Sequence, residues 1–461
     1  MIYFMLVTGI YLLHLLLKLN WVTTALILII SLIMLPFHRK EHAKQIHNEN
    51  RFFQVSLYLD TILYAFLKEE KLEAAIRDAA MTLQEGSMKD AVANCHEKLL
   101  MTTDDINAME EALVEVEERF PCKRMHDIHA FMVHVEYYGG DIERPVKLLL
   151  EDKNYWEARI KRAMEERKKK MSDIVMSVVA SILICGVILY LPVLDVDISK
   201  NMLIQLFTVV VLLLDEMILL RAQKYLSIDW LTLRVAKEEE YYRKKMTEFK
   251  AYDEKKEKRV SMIAGAVALG ISIVLFVFGK EWMAAMGMLL SVFLFRQHRV
   301  GRSLMRRTLV KEIKYAFPNW LLDLVLLLQS ENVQVALQKS RLHVPGVLRE
   351  ELDTLLDQLE MAPESSTPYH GFLKDFSIPE VHAAMSGLYA ISIGNSSNGD
   401  RQIGELIERN LNLLELAESK RLSDAGSGMY LLFLAPVLTA SFKLVVDMAV
   451  LMISFINTPM L

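Results

Sequence analysis

The pattern of apolar and charged stretches occurs twice along the chain, the second time about 260 residues after the first. An apolar hairpin interrupted at Leu19 and Asn20 has a counterpart interrupted at Gly279 to Glu281. The segment from Leu63 to Ile76 aligns without a gap with the segment from Leu324 to Leu337, apolar residue on apolar residue. Two copies of one module are the simplest explanation, so the sequence predicts a duplicated fold.

Eight apolar runs predict eight membrane helices, arranged as four hairpins. The runs lie at about 2–17, 21–37, 174–194, 202–220, 260–279, 282–296, 428–442 and 444–456. A helix needs about 20 apolar residues to cross a bilayer, so the shorter runs are marginal. We expect these short runs to cross a thinned bilayer or to form re-entrant hairpins, and the duplication favours crossing.

The basic residues predict the orientation in the membrane, because Lys and Arg near the ends of membrane helices favour the cytoplasmic side. Basic groups such as the run from Arg167 to Lys170 flank the long charged stretches, whereas hairpin turns such as the one at Lys18 carry few. The sequence therefore predicts a multi-pass protein of the inner or plasma membrane of the cell. Both termini and both large charged stretches are expected in the cytoplasm.

The long charged stretches each predict a compact bundle of helices. Phe52, Val55, Leu59, Ile62 and Phe66 follow one another at spacings of three and four residues, the pattern of an amphipathic helix. Neither stretch shows strand-like alternation, so we expect an all-α membrane protein of two tandem modules. Each module would consist of a transmembrane hairpin, a cytoplasmic helical bundle and a second transmembrane hairpin. The predicted segments are a hairpin at 1–37, the first bundle at 38–173, a hairpin at 174–220, a charged connector at 221–259, a hairpin at 260–296, the second bundle at 297–427 and a hairpin at 428–461.

Composition and motifs argue against several classes of protein. A net charge of −5, without interleaved basic and aromatic residues, gives no indication of nucleic-acid binding. Three cysteines, one of them inside an apolar run, do not form the pattern of a disulfide framework. The chain contains no phosphate-binding loop, no HExxH motif and no paired-carboxylate motif. The sequence therefore predicts neither an enzyme nor a bound cofactor.

Two glycine-containing turns are predicted before the last helix of each bundle. Gly139 and Gly140 in the first bundle, and Gly399 in the second, are expected to break a helix. Asp141 and Asp400 follow these glycines and are expected to cap the helices that begin there. We interpret all five as structural turn and cap residues.

Four ionisable residues interrupt the apolar runs and are candidates for a function inside the membrane. Asp215 and Glu216 lie in the fourth run, and Lys443 and Asp447 lie in the last hairpin. Charged groups at membrane depth are costly, which makes them functional candidates. We expect the first two near the cytoplasmic end and the others near the outer turn, where snorkelling lowers the cost. Two interpretations stay open: a role in transport or in gripping a substrate helix, and a structural ion pair or interfacial position.

Cys122, His126, His129 and His134 lie in one predicted helix, and the first three could converge on a cation at spacings of four and three. Tetrahedral zinc sites usually take their ligands from two elements rather than one helix. We therefore interpret the cluster as partly solvated histidines and expect no metal there.

The layout and several short motifs resemble the type II secretion F domain family, the platform proteins of type II secretion systems, type IV pili and tight-adherence (Tad) pili. The motifs are Tyr138 to Asp141, Phe317 to Leu321, Asn398 to Asp400, the segment from Lys420 to Pro436, and the proline Pro192. The chain looks like the paired Tad platform proteins TadB and TadC joined together. It departs from the family before the last helix of each bundle, where the usual glutamate and glycine are replaced.

The resemblance implies a non-catalytic scaffold without a cofactor. Its implied partners are a hexameric secretion ATPase, pilin or pseudopilin subunits, other platform or assembly proteins, and the lipid bilayer. Two further hypotheses stay open. A polytopic transporter permease would use the polar residues in the apolar runs as a substrate path, and a membrane-anchored interaction scaffold would have no filament partner.

Overall fold

The structure is a computed structural model that describes residues 2–101, 106–139, 142–190, 201–231, 236–279, 281–328, 331–342, 344–394 and 396–457. Within these ranges the regular structure is entirely helical. The helices are α1 Ile2–Leu16, α2 Trp21–Glu69, α3 Leu72–Thr82, α4 Ser87–Leu100, α5 Ile106–Arg119, α6 Lys123–Tyr138, α7 Glu143–Val187, α8 Met202–Leu226, α9 Ala236–Lys250, α10 Glu254–Val277, α11 Glu281–Leu327, α12 Val333–Ser340, α13 Arg349–Met361, α14 Thr367–Gly371, α15 Pro379–Ile393, α16 Ser396–Gly426 and α17 Gly428–Asn457.

The apolar helices identify a membrane protein. In the part of the chain that the structure describes, five helical stretches are long and apolar enough to cross a bilayer. They lie within Trp21–Glu69, Glu143–Tyr190, Met202–Leu226, Glu254–Val277 and Gly404–Ser454. A shorter apolar helix covers Tyr3–Leu16. The apolar start of α11 at Glu281 is not among the five.

The last predicted hairpin is wrong, because α17 is one helix that continues from Gly428 to Asn457. Lys443 was expected at an outer turn, but it lies in the middle of this helix. A charged residue inside an apolar run can end the run in a hydropathy profile without ending the helix, since Lys and Asp are compatible with helical backbone. The helix has 30 residues, a length of about 45 Å that exceeds the hydrocarbon thickness of a bilayer.

Several helices continue without interruption from an apolar segment into a charged one. Helix α2 has 49 residues and is about 74 Å long at 1.5 Å per residue. Helices α7 and α11 have 45 and 47 residues, and only the turn at Ser427 separates α16 from α17. Neither Pro36 in α2 nor Pro318 in α11 ends its helix. The apolar segments of α2, α7 and α11 are therefore continuous with charged segments of the same helices.

The first bundle consists of the charged half of α2, helices α3 to α6 and the first half of α7. The apolar stripe predicted from the sequence is buried, with Phe52, Val55, Leu59, Ile62 and Phe66 all fully inaccessible. The rings of Phe52 and Trp156 pack edge to face with their centroids 4.9 Å apart, which joins α2 to α7. The same stripe that forms the helix therefore also forms the core of this bundle.

The second bundle is built around the charged half of α11 with α9 and helices α12 to α16. Trp320 is fully buried, and its indole Nε1 donates a hydrogen bond of 3.1 Å to the hydroxyl of Ser340. Its ring stacks against Phe372 with the centroids 5.7 Å apart. This arrangement buries the largest side chain of the bundle without leaving its N–H unpaired.

The connector between the modules differs from the solvated helix that its charges predict. Helix α9 places Met246 and Phe249 in the core of the second bundle, while Lys250 pairs with Glu351 at 2.6 Å. The chain then turns at Asp253, which caps α10 by accepting a hydrogen bond from the backbone N–H of Lys255. The connector has one buried face because its few apolar residues are spaced to lie together on a helix.

Helices α10 and α11 form a hairpin with very close contact between their backbones. The hydroxyl of Ser291 donates a hydrogen bond of 3.0 Å to the carbonyl oxygen of Gly265. A Cβ atom on Gly265 would lie 2.7 Å from the ring of Phe295, and one on Gly287 would lie 2.3 Å from the hydroxyl of Ser272. Small residues allow this approach, as they do in many membrane helix pairs.

Candidate functional site

A group of polar side chains is buried among the apolar helices α7, α8 and α17. Lys443 on α17 is completely inaccessible and forms an ion pair with Asp447, one turn further along the same helix. The ammonium group of Lys443 also donates a hydrogen bond of 3.3 Å to the backbone carbonyl oxygen of Cys185 on α7. A lysine can be buried here because its charge is paired and hydrogen-bonded.

Asp215 on α8 lies against the same part of α7. Its carboxylate accepts a hydrogen bond of 2.8 Å from Ser181, which is one turn before Cys185. Among the described residues, one carboxylate oxygen of Asp215 and one of Asp447 have no hydrogen-bond partner. We call Ser181, Cys185, Asp215, Lys443 and Asp447 the membrane polar group.

The expected position of Lys443 and Asp447 near an outer turn is wrong. Asp215 lies in α8 about three turns before the end of that helix at Leu226. Lys443 and Asp447 lie in the middle of α17, because the expected outer turn is absent. Both sets of charges therefore lie near Cys185 of α7, buried between helices.

Glu216 points away from the membrane polar group, since adjacent residues of a helix lie about 100° apart around its axis. Its carboxylate accepts a hydrogen bond of 3.2 Å from Ser31 on α2. About two turns further along α8, Gln223 is bonded to His38 of α2 at 2.7 Å. These contacts hold α2 against α8.

A second buried group of charges joins the two bundles. Glu418 on α16 lies between two arginines of the first bundle: it accepts a hydrogen bond of 2.8 Å from Arg124 on α6 and forms an ion pair with Arg159 on α7. Arg124 also pairs with Asp152 at 2.6 Å. We call Arg124, Asp152, Arg159 and Glu418 the bundle joint.

The acidic neighbours of Arg124 favour its charged form despite the burial of the bundle joint. Burial alone would lower the pKa of Arg124, but the neighbouring Asp152 and Glu418 outweigh it and raise that pKa well above its ordinary value. The guanidinium of Arg124 also lies 5.4 Å from the centroid of the Trp156 ring. Removing one member of such a group is costly because the remaining charge stays buried without its partner.

A further ion pair joins the bundles nearer the solvent. Lys123 on α6 pairs with Asp323 on α11 at 2.9 Å. Asp127, one turn after Lys123, is at 3.8 Å from the same ammonium group. Burial raises the pKa of Asp127 to about 7, which Lys123 only partly offsets. The carboxyl groups of Asp127 and Asp323 therefore share one cation.

The histidines of α6 are held by hydrogen bonds and not arranged as metal ligands. His126 and His129 each bond to Glu117 at 2.8 Å, and His129 also bonds to Tyr58 at 2.7 Å. Burial lowers the pKa of His129, which is almost fully inaccessible rather than partly solvated as predicted. Within the ranges described above, no three potential ligands converge on a metal position.

The predicted turn residues have different surroundings in the two bundles. Gly139 follows α6 with a φ of 73°, a conformation that favours glycine. Gly140 and Asp141 lie outside the described residues. Gly399 and Asp400 are placed inside α16, which begins at Ser396, so they neither break nor cap the helix there as predicted. A single glycine costs a helix only about 1 kcal/mol, which the packing of a long helix can offset.

Sequence reasoning missed the bundle joint, although one signal was present. Glu418 occupies the position between Leu414 and Leu422 in the buried stripe of α16, where an apolar residue is expected. A charge in an apolar stripe indicates a buried partner. The partner could not be identified from the sequence, because Arg159 and Arg124 are 259 and 294 residues away.

The two buried groups lie on helices that are nearly continuous with one another. Glu418 in α16 and Lys443 in α17 are separated by the single turn at Ser427. Comparison of the chain with protein families, with curated proteins and with solved structures found no match.

Proposed function

We propose that the chain is a non-catalytic membrane platform of a Tad-like pilus or of a type II secretion-like machine. It would couple a cytoplasmic hexameric ATPase to the assembly or extrusion of pilin or pseudopilin subunits. The bundles would bind the ATPase and move with it. The membrane helices, together with other platform proteins, would guide the pilin subunits through the lipid bilayer.

One observation carries this proposal: the helices that form the bundles also form the membrane segments. Helices α2 and α7 each join a candidate membrane span to the first bundle without a break. Coupling a motor outside the membrane to subunits inside it needs rigid connections, since a flexible linker absorbs displacement. The bundle joint supports the same proposal, because Glu418 ties the second bundle to two helices of the first.

The proposed orientation places both bundles in the cytoplasm and needs one change at the end of the chain. Basic residues such as Lys168 and Arg299 lie close to the ends of the apolar segments on the bundle side, as cytoplasmic flanks do. Because α17 is a single helix, Asn457 lies on the opposite side of the membrane from Gly428 in this orientation. The expectation that both termini are cytoplasmic is therefore replaced by a cytoplasmic start and an external residue 457.

The proposal is tested by purifying the tagged chain in mild detergent and measuring its binding to a hexameric secretion ATPase from the same cells. Charge reversals across the exposed surfaces of both bundles should include some that abolish binding while membrane insertion is unchanged. Lys18, at the opposite ends of the membrane helices, provides the matched control for a charge reversal. Unchanged ATPase binding across the whole scan would refute the platform function.

A second candidate function, a permease, is favoured by the membrane polar group. Asp215 and Asp447 each have a buried carboxylate oxygen without a partner among the described residues, as expected of groups that bind a proton or substrate. Lys443→Met alone would leave Asp447 buried without its cation and should prevent stable insertion. The pair Lys443→Met and Asp447→Leu removes both charges and should restore insertion.

The double variant distinguishes the two functions. A platform in which the pair is structural should retain ATPase binding and filament assembly when both charges are replaced. A permease that uses the pair should insert normally and lose transport. Purification of the wild-type chain with a substrate-binding protein instead of an ATPase would also favour the permease.

A further inference from the structure

Arg167 on α7 is a buried cation without a carboxylate partner among the described residues. It is only 3% exposed, and its guanidinium Nη1 donates a hydrogen bond of 2.8 Å to the backbone carbonyl oxygen of Tyr225 on α8. The other terminal nitrogen, Nη2, is inaccessible and has no hydrogen-bond partner in the described part of the chain. The guanidinium also lies 4.7 Å from the centroid of the Trp230 ring. These contacts leave the charge of Arg167 without a counter-ion.

Arg167 differs in this respect from the other buried lysines and arginines that the structure describes. Each of those forms an ion pair with at least one carboxylate: Lys153 with Asp60 and Glu157, Arg159 with Glu418, and Lys443 with Asp447. A buried charge is costly unless it is both paired and hydrogen-bonded. An aromatic ring and one carbonyl oxygen attract the guanidinium of Arg167 but do not neutralise it. The burial of Arg167 therefore indicates an anionic partner from outside the chain.

A second cation without a carboxylate partner lies close to Arg167. Lys170, one turn further along α7, is half-buried and forms no ion pair with the residues that the structure describes, while its ammonium group lies 4.4 Å from the centroid of the Tyr430 ring. A Cβ atom on Gly426 would lie 3.7 Å from Nζ of Lys170 and 3.9 Å from Nε of Arg167. Apart from the chain neighbours of Gly426, no other described side chain lies within 4 Å of that point. A phosphate group carries several strong acceptor oxygens, so one phosphate beside Gly426 can contact both cations.

The two cations lie where the first bundle meets the apolar segments of three helices. Ile174, one turn after Lys170, packs with Ala222 of α8 and Met429 of α17 in a small apolar core. The apolar spans of α7 and α8 adjoin this core. The helical rise places Lys170 about 6 Å before Ile174 along α7, which is the depth of the polar head groups outside the hydrocarbon core of a bilayer. The exposed ring of Tyr430 is also typical of this level of a membrane.

We propose that Arg167 and Lys170 bind the phosphate group of an anionic phospholipid at the junction of α7, α8 and α17. One phosphate oxygen accepts a hydrogen bond from Nη2 of Arg167, and another accepts one from the ammonium group of Lys170. The acyl chains lie along α17 against the exposed side chain of Leu434, one turn after Tyr430 on the same face. Basic pockets between membrane helices bind the head groups of anionic lipids in this way. The inference requires only that the chain lies in a membrane and does not depend on the platform function.

The proposal is tested by a lipid titration of the full chain, which is first delipidated in a neutral detergent. The readout is the melting temperature, because a ligand that binds the folded state raises it in a saturable manner. We expect phosphatidylglycerol to raise the melting temperature. Phosphatidylcholine should raise it less, since its choline cation is repelled by the two basic side chains. Inorganic phosphate at the same concentration should have no effect at constant ionic strength, because it has no acyl chains.

Two lysine variants show whether the binding is specific to the junction. Lys170→Gln should weaken the apparent affinity for phosphatidylglycerol at least about tenfold, the loss expected for one hydrogen bond between charged groups. Lys169→Gln is the matched control, since it removes the same charge from the adjacent exposed position. This control should change the affinity by less than about twofold.

A variant of Gly426 tests the missing counter-ion without any lipid. Gly426→Asp places a carboxylate between Arg167 and Lys170, whereas Gly426→Asn places a side chain of the same shape without the charge. In the delipidated chain, Gly426→Asp should therefore melt at a higher temperature than Gly426→Asn. Addition of phosphatidylglycerol should then produce no further rise in Gly426→Asp.

Four results would overturn the proposal. The first is the absence of a saturable rise with phosphatidylglycerol, and the second is an equal loss of affinity in Lys170→Gln and Lys169→Gln, which would indicate binding to general surface charge. The third is an equal rise with inorganic phosphate, which would make the occupant a soluble anion instead of a lipid. The fourth is a delipidated Gly426→Asp that melts no higher than Gly426→Asn, which would show that the buried charge needs no anion.

Discussion

Replacing Glu418 by Gln should separate the bundle joint and lower the stability of the chain by about 3 kcal/mol. Removing one partner of a buried ion pair costs about 3–5 kcal/mol, because the other charge stays buried and uncompensated. The affected charge is Arg159, which is 5% exposed and has two guanidinium nitrogens without a partner among the described residues. Arg124 retains Asp152, and the amide oxygen of Gln can still accept a hydrogen bond, so we expect the lower end of the range.

The assay is denaturant unfolding of the detergent-purified chain, followed by tryptophan fluorescence. Trp156 is a suitable reporter, since it is 3% exposed and lies beside Arg124 of the bundle joint. The midpoint should fall without a change in slope if only stability changes. A change of about 3 kcal/mol corresponds to about 150-fold in the equilibrium constant, which is easily measured.

A double variant tests the physical reason and not only the size of the effect. Arg159→Met in addition to Glu418→Gln removes the charge that the single variant leaves unpaired. We expect the double variant to recover about 2 kcal/mol of the loss, a coupling typical of residues in contact. Glu143→Gln, at an exposed ion pair on the same helix α7, serves as the control and should produce no resolvable change.

Two results would refute the reasoning. If Glu418→Gln unfolds at the wild-type midpoint, then the ion pairs of Glu418 contribute nothing to the joint. If the single and double variants are equally destabilised, then the loss comes from packing at α16 and not from the unpaired Arg159.

Three further predictions concern other parts of the molecule. Burial alone would raise the pKa of Glu117, but hydrogen bonds from His126 and His129 lower it to about 2. The ionised Glu117 therefore stabilises the folded chain by an amount of order 2 kcal/mol above about pH 4.5, and this contribution is lost as the pH falls towards 2. Acid unfolding of Glu117→Gln should lack this loss of stability. Gly265→Ala should destabilise the hairpin of α10 and α11 by about 1–3 kcal/mol, since its Cβ would lie 2.7 Å from the Phe295 ring. Adding Phe295→Ala should restore part of the lost melting temperature in detergent. If none is restored, a clash with Phe295 is not the cause. A cysteine at Asn457 should react with an impermeant maleimide added to intact cells, whereas one at Ser427 should react only after permeabilisation; the reverse pattern would contradict the proposed orientation.

The sequence by itself determined the local structure, because local structure depends on the spacing of residues along one helix. The spacing of Phe52, Val55, Leu59, Ile62 and Phe66 predicted both the helix and its buried face, and all five are inaccessible. The apolar runs predicted most of the membrane segments. Periodicity and hydropathy are properties of a short window, so they can be read without knowing the fold.

The tertiary structure decided the partners of the buried charges. Lys443 was expected near an outer turn, but the packing of α17 against α7 places it beside Cys185. Glu418 meets Arg159 across 259 residues of chain, a separation at which the position of one residue gives no information about the other. Charges in a low-dielectric interior are stable only with a specific partner, and that partner is set by how the helices pack, which no single segment of the sequence contains.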